Sequence, residues 1–200
     1  LYEAFKLVAD LPGSVVELGV FKGESLLFFA KLMEIFNVND RSCAAIGFDN
    51  FHGFEPLHEK DGKPIEAVGK VQGGWSSAAH YEELKTLINL FDHDRLVPQK
   101  PRIRLVEGDI CKTVPQYVAD NPGLRIRLLN IDCDMYEPTL AGLKHLYDLV
   151  VPGGVVLIDE YGFSEFPGES RAVEEFFGDR MPVIRKFLLN SNPGGYLIKQ

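Results

Sequence analysis

Acidic side chains lie where several predicted strands end. Glu17, Asp49, Asp109, Asp132 and Asp159 each stand at such an end or closely follow it. Because the carboxyl ends of parallel strands meet along one edge of a sheet, we expect these carboxylates to line one crevice. A single acid in this position often does no more than cap the following helix. Five of them along one edge favour a ligand-binding or catalytic site.

The segment ELGVFKGES at residues 17–25 joins a predicted strand, a glycine-containing turn and the start of a helix. Glycine allows a backbone to approach a ligand closely, which suits a nucleotide-binding loop. Val20 and Phe21 occupy the place where the dinucleotide fingerprint G-x-G-x-x-G has its second glycine, so a bound pyrophosphate is not favoured. A simple tight turn explains the segment equally well. At the next strand end, Asp49 either accepts hydrogen bonds from two ribose hydroxyls or stabilises its own turn.

Strands that alternate with helices must position these acids. Hydrophobic periodicity predicts strands at 14–19, 44–49, 102–107, 125–132 and 155–159, each followed by a helical segment. Two further strands at about 183–189 and 195–199 flank Asn-Ser-Asn-Pro-Gly and predict a hairpin. The expected fold is α/β: a single Rossmann-like, doubly wound, mostly parallel seven-stranded sheet with a C-terminal antiparallel hairpin. Residues 1–200 are expected to form one domain, with a long loop and helix inserted at about 50–92.

Composition excludes several classes of protein. The 21 basic and 29 acidic residues give a net charge of −8, which does not favour binding to nucleic acid or to an anionic membrane. No apolar run approaches the roughly 18 residues of a membrane-spanning helix. Three cysteines without a CxxC spacing predict a reducing, cytoplasmic setting. The predicted helix at 23–36 is apolar on nearly every side, which predicts burial under neighbouring elements or in a homo-oligomer.

Two longer motifs resemble those of a known family. Residues 131–139 read IDCDMYEPT and residues 152–161 read PGGVVLIDEY, while FDNFHGF at 48–54 and FPG at 166–168 add to the pattern. Together they resemble the class I S-adenosylmethionine-dependent methyltransferases, and more narrowly the macrocin O-methyltransferase family, from Val16 to about Phe177. That family methylates hydroxyls of sugars and related groups on natural products. The resemblance implies S-adenosylmethionine as the cofactor and a small hydroxylated molecule as the acceptor.

The resemblance also implies roles for individual residues. Asp49 would hold the ribose hydroxyls, and Asp132 would lie beside the reactive methyl group. The remaining cofactor contacts would come from the turn after the first strand and from the end of the third: Glu17, Gly19, Gly23 and Ser25 for the methionine half, Asp109 and Ile110 for the adenine. In metal-dependent members the matching acids bind magnesium, which here would be Asp132, Asp159 and Glu160. Glu160 departs from the two aspartates usual there, and its extra methylene matters because magnesium is strict about geometry.

A carboxylate or imidazole near the acceptor could remove the hydroxyl proton as a general base. The candidates are Asp132, Asp134 and, in the long loop, His52. Asp134 could instead cap the next helix, and His52 could simply be solvated. The expected function is an S-adenosylmethionine-dependent O-methyltransferase acting on a small molecule, for which a sugar is the family's example. The alternatives are a nicotinamide-dependent oxidoreductase on a similar sheet and a non-catalytic cofactor-binding module.

Overall fold

The computed structural model describes residues 1–188 and 192–200. Its strands are β1 (Ser14–Leu18), β2 (Ala45–Asp49), β3 (Ile103–Glu107), β4 (Ile126–Ile131), β5 (Val150–Ile158) and β6 (Gly195–Ile198). Its α-helices are α1 (Tyr2–Lys6), α2 (Glu24–Phe36), α3 (Tyr81–His93), α4 (Ile110–Asp120), α5 (Tyr136–Leu146) and α6 (Pro167–Phe177). Within these residues, no helix has the length and apolar character needed to cross a bilayer.

The six strands form one sheet in the order β3-β2-β1-β4-β5-β6. Strands β1 to β5 are parallel to their neighbours, and β6 pairs antiparallel with β5. The chain builds β1 to β3 outward in one direction and then returns to add β4 on the other side of β1. The order therefore reverses between β1 and β4, which is where open α/β sheets bind ligands.

Each face of the sheet is covered by three helices. Residues of α1, α2 and α3 pack with one set of strand side chains, including Val15 and Leu128. Residues of α4, α5 and α6 pack with the alternate set, including Val16 and Leu129. This follows from the period of two along a strand, which directs successive side chains to opposite faces. Both faces of the central strands are buried, so their sequences are almost continuously apolar.

The prediction of seven strands is wrong, because the sheet has six. The antiparallel strand β6 is present, but the predicted partner at 183–189 is reduced to one isolated bridge between Arg185 and Tyr196. Val183 and Leu188 are exposed to solvent, so the apolar residues of this segment do not form a buried strand face. Residues 189–191, where the predicted strand ends and its turn begins, lie outside the described residues. The α/β class, the parallel core and the antiparallel last strand are confirmed.

A long connection joins β2 to α3 and lies against the carboxyl edge of the sheet. It contains short 3-10 turns at Glu59–Asp61, Glu66–Val68 and Ala78–His80. The Asp61 carboxylate is buried and accepts hydrogen bonds from the backbone N–H of His58 (2.9 Å) and of Tyr136 (2.7 Å). The Lys70 ammonium is also buried and donates to the carbonyls of Asp61 and Glu165. These contacts fix the connection to the start of α5 and to the segment before α6.

Candidate active site

A cavity of about 830 Å³ opens at the carboxyl ends of β1 and β4. That volume suits a ligand of the size of a nucleoside. Most of the residues predicted from the sequence line it: Gly19, Ser25, Asp49, Asp109, Ile110, Asp132, Asp134, Asp159 and Glu160. Parallel strands that end at one edge bring these residues together from five separate parts of the chain.

Asp49 organises the loop that follows β1. Its Oδ2 accepts hydrogen bonds from the backbone N–H groups of Val20 and Phe21, each at 2.8 Å. Its Oδ1 accepts from the N–H of Phe51 at 2.6 Å. A carboxylate has about four acceptor positions, so one remains for a ligand hydroxyl. The sequence suggested either a ribose contact or a turn-forming role, and the structure shows the second while leaving room for the first.

Gly19 stands where the loops after β1 and β4 approach most closely. Its φ is +88°, and a Cβ atom there would lie 1.8 Å from the carbonyl oxygen of Asp132. Only glycine fits both the backbone conformation and this contact. Gly19 therefore sets the spacing between the loop after β1 and the acid that follows β4.

Glu17 lies beneath the cavity, inside β1, and is completely buried. Its Oε1 accepts a hydrogen bond from Asn130 Nδ2 at 2.8 Å, whereas Oε2 has no hydrogen-bond partner among the described residues. Burial raises the pKa of Glu17 from 4.5 to about 7, although Ser25 and Asn130 favour the charged form. The carboxyl group is thus held close to a protonation change near neutral pH.

Asp109 caps α4 at the far side of the cavity. Its Oδ1 accepts from the N–H of Cys111 at 2.9 Å, and its Oδ2 pairs with Lys112 at 2.8 Å. Burial acts to raise the pKa of Asp109, but the bonds from Lys112 and Cys111 hold it below its usual value. Ile110 follows as the first residue of α4 and adds an apolar wall.

Four carboxylates converge between β4 and β5. Burial, followed by repulsion from Asp159, raises the pKa of Asp132 well above its usual value and that of Asp134 to about 7. Burial also raises the pKa of Asp159, although Asn192 Nδ2 donates to it at 2.8 Å. Burial and the charges of Asp134 and Asp159 raise the pKa of Glu160 to about 7. Such a group of acids favours a bound proton or a bound cation.

The group fits magnesium only in part. Its carboxylate oxygens are of the right type, and the buried Glu160 Oε2 lacks a hydrogen-bond partner among the described residues. Among all the residues that the structure describes, however, no three His, Cys, Asp or Glu side chains are grouped so as to hold a metal ion. Asp132, Asp159 and Glu160 thus do not form a complete ligand set as they stand.

Aromatic and apolar side chains form the rest of the wall. Trp75 lies edge-on to Phe21, with ring centroids 5.4 Å apart, and Phe54 lies edge-on to Phe166 at 6.3 Å. The indole N–H of Trp75 donates to the Val68 carbonyl at 3.0 Å, so the ring is held although the residue is 54% exposed. These rings offer stacking surfaces to a ligand or an acceptor.

Two residues named from the sequence do not line the cavity, in addition to Glu17. Gly23 precedes α2 with a φ of +87°, and a Cβ there would meet a Leu84 methyl at 2.4 Å. Its place is therefore in the packing between α2 and α3. His52 is exposed on the connection after β2, where its backbone N–H donates to Asn50 Oδ1 at 2.9 Å. Neither Gly23 nor His52 lies where it could contact a ligand bound in the cavity.

Glu169 is a buried acid that the sequence pattern does not reveal. Glu169 in the first turn of α6 has no exposed surface and accepts hydrogen bonds from backbone N–H groups on both acid-bearing loops. In the sequence it follows FPG and precedes a helical pattern, where a first-turn glutamate is ordinary. No local signal separates it from its exposed neighbours Glu174 and Glu175.

One known family matches most of this chain. The sequence model described as macrocin O-methyltransferase (TylF) matches residues 4–182. The chain belongs to the macrocin O-methyltransferase family. The resemblance read from residues 131–139 and 152–161 is thereby confirmed.

Individual relatives agree with this assignment. The chain is 28% identical to mycinamicin III 3''-O-methyltransferase of Micromonospora griseorubida over 166 residues, which cover 83% of the chain and 61% of that protein. It is 27% identical to demethyldecarbamoylnovobiocin O-methyltransferase of Streptomyces niveus over 152 residues, 76% and 54% of the two chains. The crystal structure of the calicheamicin methyltransferase CalS11 matches with a TM-score of 0.91 and 29% identity, covering 98% of this chain and 76% of that one. The chain thus spans 54–61% of these two curated relatives.

Proposed function

We propose that this protein is an S-adenosylmethionine-dependent O-methyltransferase acting on a hydroxyl of a small molecule, with a sugar of a natural product as the acceptor class. The observation that carries the proposal is the acid-rich cavity at the reversal of strand order in a chain of the macrocin O-methyltransferase family. Mycinamicin III, demethyldecarbamoylnovobiocin and calicheamicin methyltransferases are its relatives. Val20 and Phe21 in the turn after β1 do not favour a dinucleotide pyrophosphate, so an oxidoreductase gains no support.

The cavity fits the proposed cofactor. S-adenosylmethionine supplies a methyl group on a positively charged sulfonium, and it also carries an ammonium group and a ribose diol. The free acceptor position of Asp49 suits the diol, and Asp109 with Ile110 suits the adenine ring. Gly19 and Ser25 would face the methionine half, with Glu17 and Gly23 supporting the same turn from behind. The acids between β4 and β5 offset the positive charge.

The chain's own residues can then prepare the acceptor. We assign the general base to Asp132, because it follows β4 directly, lines the cavity and is the acid that the family resemblance places beside the reactive methyl group. It would take the proton of the acceptor hydroxyl while the oxygen forms its bond to the methyl carbon and the sulfur keeps the electron pair of the broken bond. The loop after β1 and the connection after β2 hold the two reactants in line, which contributes through orientation. Asp134, which also lines the cavity, is the second candidate base. His52 does not line it and could serve only an acceptor that extends past the cavity to the connection after β2.

The test is isothermal titration of S-adenosylhomocysteine into the protein, with and without magnesium. We expect micromolar binding that Asp49→Ala reduces at least about tenfold, whereas Asp179→Asn on the exposed turn after α6 leaves it unchanged. Magnesium-dependent heat that Glu160→Gln removes would show that magnesium binds at Asp132, Asp159 and Glu160 even though these residues do not form a complete ligand set on their own. An acceptor screen that begins with hydroxylated glycosides follows. Absence of binding in both buffers would contradict the proposed function.

We also propose that the protein forms a homo-oligomer. Ile35 on α2 is 70% exposed and Leu90 on α3 is 60% exposed, with Phe28, Phe36 and Leu87 also exposed on these two helices. Apolar surface of this kind on neighbouring helices is typical of a subunit interface. The proposal explains the apolar character of α2, which the sheet covers on one side only.

A further inference from the structure

One buried carboxylate connects the two loops that carry the candidate catalytic acids. Oε1 of Glu169 accepts hydrogen bonds from the backbone N–H of Cys133 (3.2 Å) and of Asp134 (2.9 Å). Its Oε2 accepts from the backbone N–H of Glu160 at 2.9 Å. The first loop follows β4 and the second follows β5. A single side chain thus fixes the distance between them.

Asp134 needs such support because its backbone is strained. Its φ is +63°, in the left-handed region that side chains other than glycine seldom adopt. Such conformations persist only where the surroundings hold them, and they are frequent at functional sites. The hydrogen bond from the Asp134 N–H to Glu169 is a direct restraint on this conformation, and the conformation places residue 134 on the cavity wall.

The start of α6 is built to bring Glu169 to this place. Gly168 packs so tightly that a Cβ there would lie 2.1 Å from Asp61 Oδ1 and 2.6 Å from the Tyr136 nitrogen. Asp61 in turn holds the Tyr136 N–H, which opens α5. The buried carboxylate therefore has a defined place and three defined donors.

We propose that Glu169 is a positioning residue for methyl transfer, which clamps the loop after β4 to the loop after β5 and holds Asp134 in its left-handed conformation. Glu169 does not line the cavity, so it acts through the backbone of Cys133, Asp134 and Glu160 and not on the reactants. The proposal rests on the proposed function for its kinetic consequence only. Its structural consequence can be measured without any ligand.

The experiment compares Glu169→Gln with wild type and with Glu174→Gln, an exposed residue of the same helix. Glutamine keeps the shape but turns an N–H₂ donor toward one of the loops, so at least one backbone N–H loses its acceptor. Hydrogen exchange followed by mass spectrometry should show exchange about tenfold faster in peptides spanning 132–136 or 159–162. The control variant should exchange as wild type does. Unchanged exchange in both segments would overturn the proposal.

A second background tests the link to Asp134. Glycine adopts positive φ without strain, so Asp134→Gly removes the need for that restraint. The fall in Tm caused by Glu169→Gln should be smaller in the Asp134→Gly background than in wild type, by about 2 °C or more. Equal falls in both backgrounds would show that Glu169 does not hold residue 134. If the glutamine variant does not fold, Glu169→Asp, which shortens the side chain, replaces it with the same outcomes.

Kinetics separate positioning from general destabilisation. At a temperature where all variants are folded, Glu169→Gln should lower kcat about tenfold or more while the Kd of S-adenosylhomocysteine stays within about twofold. A matching loss of cofactor affinity, or no loss of kcat, would contradict the positioning role. Failure of wild type to bind S-adenosylhomocysteine would count against the proposed function instead, and the exchange result would still stand.

Discussion

Glu17→Gln should make the protein less sensitive to alkaline pH. Glu17 is completely buried, and only one of its oxygens has a hydrogen-bond partner among the described residues, the amide of Asn130. Glutamine has the same shape and still presents an oxygen to Asn130. It carries no charge, so the substitution removes the titration and little else.

The magnitude follows from the pKa, which burial raises from 4.5 to about 7 in the folded protein. The folded state then binds the proton more tightly than the unfolded state, so Glu17 favours folding at low pH. This contribution is complete below about pH 4.5 and is lost as the pH rises through about 7. For these two pKa values the loss between pH 5 and pH 8 is about 2.5 kcal/mol, or about 5–10 °C in Tm for a chain of this size.

The assay is urea unfolding of wild type and Glu17→Gln at several values between pH 5 and pH 8. The free energy of unfolding should fall with pH more steeply in wild type, and the two curves should separate by about 2.5 kcal/mol. Glu174→Gln is the matched control, because this exposed glutamate should leave the wild-type curve unchanged. Parallel curves for Glu17→Gln and wild type would refute the reasoning, since they would mean that Glu17 titrates alike in both states.

Three further substitutions test the structure elsewhere. Gly19→Ala should destabilise the protein by about 3 kcal/mol or more in urea unfolding, since the new Cβ would meet the Asp132 carbonyl. Gly123 has open space around it, so the control Gly123→Ala should leave the free energy of unfolding nearly unchanged. Asp61→Asn leaves one of two backbone N–H groups without an acceptor, so the free energy of unfolding should fall by about 1–3 kcal/mol. Proteolysis within residues 50–77 should become faster. Unchanged cleavage would contradict the role of Asp61 in anchoring this connection. Ile35→Glu should reduce the mass found by light scattering to that of a monomer, and a wild type that is already monomeric would contradict the oligomer.

The strand-end acids could be predicted because two local rules are sufficient. Hydrophobic runs mark the buried strands, and parallel strands present their carboxyl ends on one edge. Asp49, Asp109, Asp132 and Asp159 accordingly line one cavity. The same rules misplaced Glu17, because the strand includes it and its side chain falls below the edge.

The prediction of a seventh strand is wrong for a physical reason that the sequence pattern does not reveal. Apolar residues recur in 183–189 as they would in a strand, but a strand also needs a partner along its length. Among the described residues, only Arg185 exchanges backbone hydrogen bonds with Tyr196, at 2.8 Å in both directions. Phe187 instead stacks flat on the Tyr196 ring, with centroids 4.2 Å apart. Over its described part, residues 183–188, the segment is held by one backbone pair, the ring contact and the packing of Ile184 against the core, and no ladder forms.

The buried polar anchors were beyond prediction because their partners are distant in sequence. Asp61 and Tyr136 are 75 residues apart, and Lys70 reaches Glu165 across 95. Charged residues such as these are almost always exposed, so a local pattern assigns them to the surface. Only the folded chain shows that backbone carbonyls and N–H groups of other elements satisfy them.

The acids between β4 and β5 are better explained by a ligand than by stability. Asp132, Asp134 and Asp159 repel one another across a partly buried wall, and each has its pKa raised by burial and, for the first two, by the neighbouring Asp159. An ionised group with a raised pKa destabilises the folded state at neutral pH. Fixing one of these residues in a left-handed conformation adds strain. The proposed reaction accounts for this unfavourable arrangement. A cationic cofactor would relieve the repulsion among the carboxylates, and one of them would accept the proton of the acceptor hydroxyl.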